Sequence, residues 1–291
     1  KAFERLRHLM RSNSKGQARK NISYHYDLGN AFYAQWLDAS MTYSSALFES
    51  GQESFESAQR AKYAALVDAL EVKPDDHVLE IGCGWGGFAE YAAGECGLRV
   101  TGLTISEEQL KYAEERIEKA GLSHLVTLKI QDYRDETGQY DGIASIEMFE
   151  AVGEKYWPVY FEKVRACLKP KARASLQIIT LEEERFKIYR KGVDFIQKYI
   201  FPGGMLPSKT ALRAEIARAG LTETKLLEFG ESYSQTLRRW HERFNGAWSE
   251  IAPMGFDERF RRMWNFYLTS CAASFHGGNC DVVQITIEKL D

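Results

Sequence analysis

Glu80-Ile81-Gly82-Cys83-Gly84-Trp85-Gly86-Gly87 decides the fold of this 291-residue chain. The stretch follows a short apolar run, His77–Ile81, and leads into Phe88–Cys96, which reads as helix. A glycine-rich turn from strand to helix lets the backbone approach a ligand closely, with free N–H groups and a helix N-terminus aimed at any polar end. Several nucleotide-binding α/β folds share such a turn, so its surroundings must separate them. The spacing here is GxGxGG rather than GxGxxG, and the next strand ends in Leu103-Thr104-Ile105-Ser106, with no acid. A nicotinamide enzyme usually places Asp or Glu there for the ribose. A dehydrogenase is therefore the weaker reading.

Outward from the loop, Lys73-Pro74-Asp75-Asp76 is a turn, and the first 70 residues before it read as helical and aromatic-rich. After the loop come a β-branched strand at Leu98–Leu103 and a helix over Glu107–Ala120 closed by Gly121. Leu125–Ile130 and Asp141–Met148 read as strands, Glu154–Leu168 as an amphipathic helix stopped by Lys169-Pro170, and Ser175–Thr180 as a further strand. Five strands alternating with helices predict a parallel sheet covered on both faces, doubly wound by the right-handed crossover rule. Residues 181–207 break the alternation with charge and aromatics, ending in Phe201-Pro202-Gly203-Gly204, and read as an inserted lid. A helix, a strand near Leu226–Phe229, two long helices and a last strand at Val282–Ile287 complete the chain. The expected organisation is a basic arm and helical cover over 1–70 and a main domain over 71–291.

The net charge of −3 makes no global case for nucleic acid. The charge is uneven, however. Residues 1–20 carry seven Lys/Arg against Glu4, a local +6 that leaves −9 on the remainder. A basic arm on an acidic body suits an anionic surface such as phospholipid headgroups, and equally suits a solvated linker. A start at Lys1 inside a basic helix suggests that a lipid-binding domain precedes it. Five scattered cysteines without CxxC spacing argue for a reducing compartment, and six histidines without HExxH or a Cys/His cluster argue against a metal. No apolar run reaches membrane-spanning length and no signal peptide opens the chain, so a cytoplasmic protein is expected.

Several segments, read together, resemble the cyclopropane fatty acid synthases and their mycolic acid relatives. They include Tyr24-His25-Tyr26-Asp27-Leu28-Gly29-Asn30, Met41-Thr42-Tyr43-Ser44-Ser45-Ala46, Ile81–Gly86 and Gly102-Leu103-Thr104-Ile105-Ser106-Glu107-Glu108-Gln109. Met148-Phe149-Glu150-Ala151-Val152-Gly153, Tyr199–Gly204, Trp240–Phe244 and Tyr267–Ala272 continue the match, which runs from about Asn21 to the C-terminus.

The resemblance implies a seven-stranded, Rossmann-like class I methyltransferase fold: a mostly parallel, doubly wound sheet with N-terminal helices and a helical lid. It implies S-adenosylmethionine over Gly82, Gly84 and Gly86, with Tyr43 and Ser44 at the methionine end. Thr104 and Ile105 line the site, Gln109 reaches the ribose, and Asp132 and Tyr133 meet the adenine. Tyr43 could instead be core, and Asp132 a cap or turn residue.

The implied reaction is methyl transfer to a cis alkene in a phospholipid acyl chain, followed by proton loss to a bicarbonate ion. The partner is then a membrane phospholipid, met peripherally at the inner face of the membrane, with a homodimer left open. Glu150, Tyr233 and the Ile179 N–H match the bicarbonate-holding set. Ser45 and Gln177 stand where relatives have Cys and His. Both substitutes can donate and accept hydrogen bonds, but neither titrates like histidine. Glu147 stands where relatives have a small residue. Beside Glu150 it could raise one carboxylate pKa and create a protein-borne base, or it could point away from the pocket. These departures put a methyl- or methylene-branched product beside cyclopropane. Competing readings are a methyltransferase for a small amine or polyketide, and a donor-binding, lipid-associated accessory protein without catalysis.

Overall fold

Val78, Leu79, Glu80 and Ile81 are all buried, which is what a central strand of a parallel sheet requires, since helices cover both its faces. The computed structural model describes residues 15–17 and 28–291. Most of the basic arm and the Tyr24–Asp27 motif lie outside the described residues. In chain order the elements are α1 (Asn30–Ala34), α2 (Phe55–Leu70), β1 (His77–Ile81), α3 (Gly87–Cys96), β2 (Arg99–Thr104) and α4 (Glu107–Lys119). There follow β3 (Val126–Ile130), β4 (Tyr140–Ile146), α5 (Trp157–Cys167), β5 (Leu168–Leu181), α6 (Glu183–Tyr189), α7 (Phe195–Tyr199) and α8 (Lys209–Arg218). The chain closes with β6 (Thr222–Glu228), α9 (Gly230–Gly246), α10 (Trp248–Ile251), α11 (Glu258–His276) and β7 (Cys280–Glu288).

The seven strands form one sheet in the order β3-β2-β1-β4-β5-β7-β6. Strands β1 to β5 are parallel, and β7 runs antiparallel between β5 and β6. The order reverses between β1 and β4, so a crevice opens beyond the carboxyl ends of those strands, where open α/β sheets bind ligands. The doubly wound expectation holds. The sheet adds one feature to it, the antiparallel insertion of β7.

One boundary differs from expectation. Lys169-Pro170 does not simply end a helix, because β5 begins at Leu168 and runs through it. The pairing with β4 shifts register between Tyr140 and Gly142, and Lys171 has φ 63°, so Pro170 lies where the ladder is interrupted. A bulge is where a strand tolerates proline. The expected helix Glu154–Leu168 divides into a 3₁₀ turn at Glu154–Tyr156 and then α5, with Pro158 in the first turn of α5.

Helix α2 buries Phe55, Ala58, Gln59, Lys62, Tyr63, Leu66 and Leu70, a stripe at helical spacing. Phe32, Tyr33 and Trp36 pack with Trp240, Phe244 and Trp264 of α9 and α11 in an aromatic core beside the crevice. The segment 181–207 folds as α6 and α7. It contributes Leu181, Tyr189, Phe195, Ile196, Phe201 and Met205 to the wall of a cavity of about 740 Å³. The segment therefore forms part of that cavity's wall. The Met205 N–H donates to the Glu150 carbonyl at 2.8 Å and ties this cover to the end of β4. Among the described residues no helix is long and apolar enough to cross a membrane.

Candidate active site

The glycine loop takes its shape from three left-handed residues, Gly82, Gly84 and Gly86, at φ 85°, 51° and 82°. At Gly82 a Cβ would fall 2.8 Å from Met148 Cγ, so only glycine lets β1 turn beside β4. At Gly84 a Cβ would meet nothing within 4 Å, and the residue lines the cavity. A side chain there is disfavoured by its backbone and not by any protein neighbour.

All the expected donor-site residues except Gly86 line this one cavity: Tyr43, Ser44, Gly82, Gly84, Thr104, Ile105, Gln109, Asp132 and Tyr133. Gly86 instead packs against Ala113, 3.0 Å from where its Cβ would be, and seats α3 on α4. Ser106 caps α4 by accepting from the Gln109 N–H at 3.3 Å, an interaction worth about 1 kcal/mol. That cap aims Gln109 inward, where Thr104 Oγ1 donates to its Oε1 at 3.2 Å.

Asp132 is not a free acceptor. It caps a 3₁₀ turn through the Arg134 N–H at 3.0 Å, and the Arg134 guanidinium donates to both its oxygens, at 2.8 and 2.6 Å. Burial raises the Asp132 pKa, but Arg134 outweighs burial and holds it below the usual carboxylate value. Tyr43 shares a hydroxyl hydrogen bond with Tyr267 of α11 at 2.9 Å and packs against Trp240. It is both core and cavity wall.

Two charged residues that the sequence reading left without a role stand in or behind this wall. Glu80 is 2% exposed, and its Oε2 has no hydrogen-bond partner. Burial pushes its pKa up to about 8, with Lys62 and Arg116 pulling it back. Lys62 is 0% exposed and donates to Ser44 Oγ at 2.7 Å and Gln59 Oε1 at 2.6 Å. Burial lowers its pKa to about 7, against the charges of Glu147, Asp38 and Glu80. The signal for Glu80 was its place immediately before the glycine loop. For Lys62 it was a lysine in phase with the apolar stripe of α2.

The second half of the site is built on β4, β5 and α9. Glu147 follows β4 with φ 50°, a conformation uncommon outside glycine, and its side chain turns inward. Its Oε1 accepts from the Ser45 N–H and the Gln177 side-chain amide, both at 2.8 Å, and its Oε2 accepts from the Tyr233 hydroxyl at 2.6 Å. Burial raises its pKa, while these three donors and Lys62 act to lower it. Gln284, across the ladder on β7, donates to Gln177 Oε1 at 3.1 Å and so orients the Gln177 amide with its NH₂ toward Glu147. Glu150 accepts from the Ile179 N–H at 2.6 Å through Oε1, and its Oε2 has no partner. Burial first, then the charge of Glu147, push its pKa up to about 8.

This arrangement bears on three of the sequence readings. Ser45 serves through its backbone N–H, because its hydroxyl is buried and donates to the Ala46 carbonyl at 2.9 Å. The Ile179 N–H is committed to Glu150 and not to an added anion. Of the two directions left open for Glu147, the inward one is found, and its carboxylate takes up the Ser45, Gln177 and Tyr233 donors on which a bicarbonate would have to rely.

A family model described as mycolic acid cyclopropane synthetase matches residues 13–285. The chain is 41% identical over 283 residues to tuberculostearic acid methyltransferase UfaA1 of Mycobacterium tuberculosis, covering 94% of this chain and 66% of that one. It is 41% identical over 265 residues to the cyclopropane-fatty-acyl-phospholipid synthase of Escherichia coli, covering 91% and 66% respectively. The chain thus spans about two thirds of the length of these curated relatives. The crystal structure of mycolic acid cyclopropane synthase CmaA1 complexed with SAH and CTAB superposes with a TM-score of 0.87 at 27% identity, over 93% of this chain and 98% of that one. With the family model matching nearly its whole length and the class I methyltransferase sheet in place, this chain belongs to the mycolic acid cyclopropane synthetase family.

Proposed function

We propose that the protein transfers a methyl group from S-adenosylmethionine to the double bond of an unsaturated phospholipid acyl chain, leaving a cyclopropane or a methyl-branched chain. The observation that carries this reading is a pair of buried carboxylates, Glu147 and Glu150, in the wall of a cavity also lined by Phe195, Phe201, Tyr267 and Phe275. Apolar walls with a convergent acid pair suit an acyl chain and a proton acceptor.

The residues present fit the methyl donor. The unpartnered Glu80 Oε2 offers an acceptor to an ammonium group, and Gly84 leaves open space beside the loop. Tyr43, Ser44, Glu80, Gly82 and Gly84 would hold the amino-acid end, and Thr104, Ile105, Gln109, Asp132 and Tyr133 the nucleoside. Bound there, the donor supplies an electrophilic methyl group on a sulfonium.

An isolated alkene is a poor nucleophile, so the chain's own task is alignment and exclusion of water. The cover of α6 and α7 and the ring of Phe201 serve that task. Attack by the alkene leaves a cation on the acyl chain, and a base must then take a proton. Glu147 is the better candidate for the charged member of the pair, because three donors and Lys62 act against the burial that raises its pKa. Glu150, pushed up to about 8 by burial and by the charge of Glu147, favours its protonated form near neutral pH. Two adjacent carboxylates sharing one proton is the expected state of such a pair. Removal of a proton from the new methyl group closes the ring. Removal from a neighbouring carbon leaves a branched chain that keeps a double bond. With its donors already taken by Glu147, this site calls for no bicarbonate.

Peripheral membrane contact is supported at the cavity mouth. Ile188 and Phe266 line the cavity yet are 74% and 54% exposed, and Tyr199 is 43% exposed. The exposed cations Lys187, Arg190, Lys191 and Lys198 lie on the same cover segment. Exposed apolar side chains on a segment that also carries exposed cations suit a phospholipid surface, although Lys187 and Arg190 are paired with Glu184 and Glu154. The reading is tested with methyl-labelled donor and vesicles of mono-unsaturated phospholipid, the extracted lipids being resolved by mass spectrometry. It expects label in the acyl chain of unsaturated lipid and none in saturated lipid. Label on a headgroup amine, or no transfer, contradicts it.

A further inference from the structure

Lys62 is the most completely buried cation of the described residues, and its two hydrogen-bond acceptors are both neutral, Ser44 Oγ at 2.7 Å and Gln59 Oε1 at 2.6 Å. No carboxylate of the described residues lies within ion-pair distance of it. Glu147, Asp38 and Glu80 act on it only from further away. A lysine kept for packing alone would be replaced at less cost by methionine or glutamine, because a buried ammonium without a counter-charge is strongly penalised. Among the described residues no carboxylate contacts this amine, and only the more distant Glu147, Asp38 and Glu80 favour its charged form.

The geometry gives that charge a direction. Lys62 does not line the cavity, whereas Ser44, which it contacts, does. A hydroxyl has one proton to donate. With Lys62 donating to its oxygen, the Ser44 hydroxyl is polarised and its own proton can be directed into the cavity. On the same wall stands Glu80, fully buried with Oε2 unpartnered. An amine acting through a hydroxyl, and a carboxyl group facing inward that an arriving ammonium would help to ionise, are complementary to a zwitterionic amino-acid group.

We propose that Lys62 is a positioning residue for the methyl donor, supplying through Ser44 the positive charge that recognises the donor's α-carboxylate opposite Glu80. The inference rests on the donor placement proposed above. It explains why this lysine interrupts the apolar stripe of α2, since its ammonium holds the Ser44 hydroxyl at the cavity wall. It also makes donor and protein complete one another's buried charges, so that the empty site is the electrostatically poorer state.

The test is calorimetric titration with three probes: S-adenosylhomocysteine, decarboxylated S-adenosylmethionine, which lacks the carboxylate, and methylthioadenosine, which lacks the whole amino-acid end. Lys62→Met is expected to weaken S-adenosylhomocysteine tenfold or more and to leave the other two within about threefold of wild type. Ser44→Ala should reproduce that selectivity, and the double variant should lose little beyond Lys62→Met alone. Because Lys62→Met could fail to fold, a melting curve accompanies it, and Ser44→Ala then carries the test. Equal losses for all three probes, or no loss for S-adenosylhomocysteine, overturn the role of Lys62. Failure of wild type to bind any probe would instead overturn the donor placement itself.

Discussion

Glu147 and Gln177 are bonded twice: the Glu147 N–H donates to the Gln177 carbonyl at 2.9 Å, and the Gln177 side-chain amide donates to Glu147 Oε1 at 2.8 Å. The double tie holds a non-glycine residue at φ 50°, a strain of about 1–3 kcal/mol that persists only where the surroundings impose it. Its effect is to turn a carboxylate into the cavity wall and keep it there.

If Glu147 is the base, Glu147→Gln should lower the rate of transfer to unsaturated lipid by about 10²–10⁴-fold, the usual contribution of a positioned base. Glu150→Gln imitates the protonated form of that residue and should cost less, because the amide can still accept from the Ile179 N–H. Initial rates of both variants with labelled donor decide this. The reverse ranking moves the base to Glu150.

Stability should fall as pH rises from about 5 to 8. Glu80 and Glu150 both have folded pKa values near 8 against an ordinary 4.5, so the folded state holds protons that the unfolded state has released. Their contribution is complete below 4.5 and is lost as pH passes through 8. Lys62 acts oppositely: its folded value near 7 lies below 10.5, so its penalty eases between 7 and 10.5. Melting temperatures across this range should show the fall, and Glu150→Gln should flatten it. A Glu150→Gln profile parallel to wild type would contradict the assignment.

Gly84→Val should weaken S-adenosylhomocysteine at least tenfold. Valine at φ 51° is strained, and its side chain would project into space that no protein atom fills. Unchanged affinity by calorimetry would move the donor away from the loop.

Replacing Ile188 and Phe266 together by aspartate should reduce sedimentation with anionic vesicles and raise KM for lipid, while S-adenosylhomocysteine affinity stays unchanged. Both side chains are exposed, so the fold should tolerate the change. Undiminished sedimentation would place membrane contact elsewhere.

The sheet was legible because its signals are local: β1 is a continuous apolar run, the loop has its glycines, and Ser106 announces α4. The cover over 181–207 was legible from interrupted alternation. The donor-site residues came from the resemblance and not from local signals, and all of them but Gly86 line one cavity. The acid cluster was harder, because its meaning depends on directions that no spacing encodes. A positive φ at Glu147 sends its side chain inward, Ser45 contributes an N–H and not its hydroxyl, and Asp132 is taken by Arg134. Lys62 lies in phase with the apolar stripe of α2, but only the packing of α2 against the Ser44 segment reveals its contact with that hydroxyl.

If the Glu147 carboxylate does the work of an added anion, activity is independent of bicarbonate. Glu147→Gly relieves the backbone and leaves the Ser45 N–H, Gln177 and Tyr233 around a carboxylate-sized space. Transfer rates and product composition should be measured for wild type and Glu147→Gly in bicarbonate-depleted buffer and again with bicarbonate restored. The account predicts a wild type indifferent to bicarbonate, with some branched product, and a Glu147→Gly variant that is nearly inactive until bicarbonate is added. A wild type that loses activity on depletion and makes cyclopropane alone would contradict it.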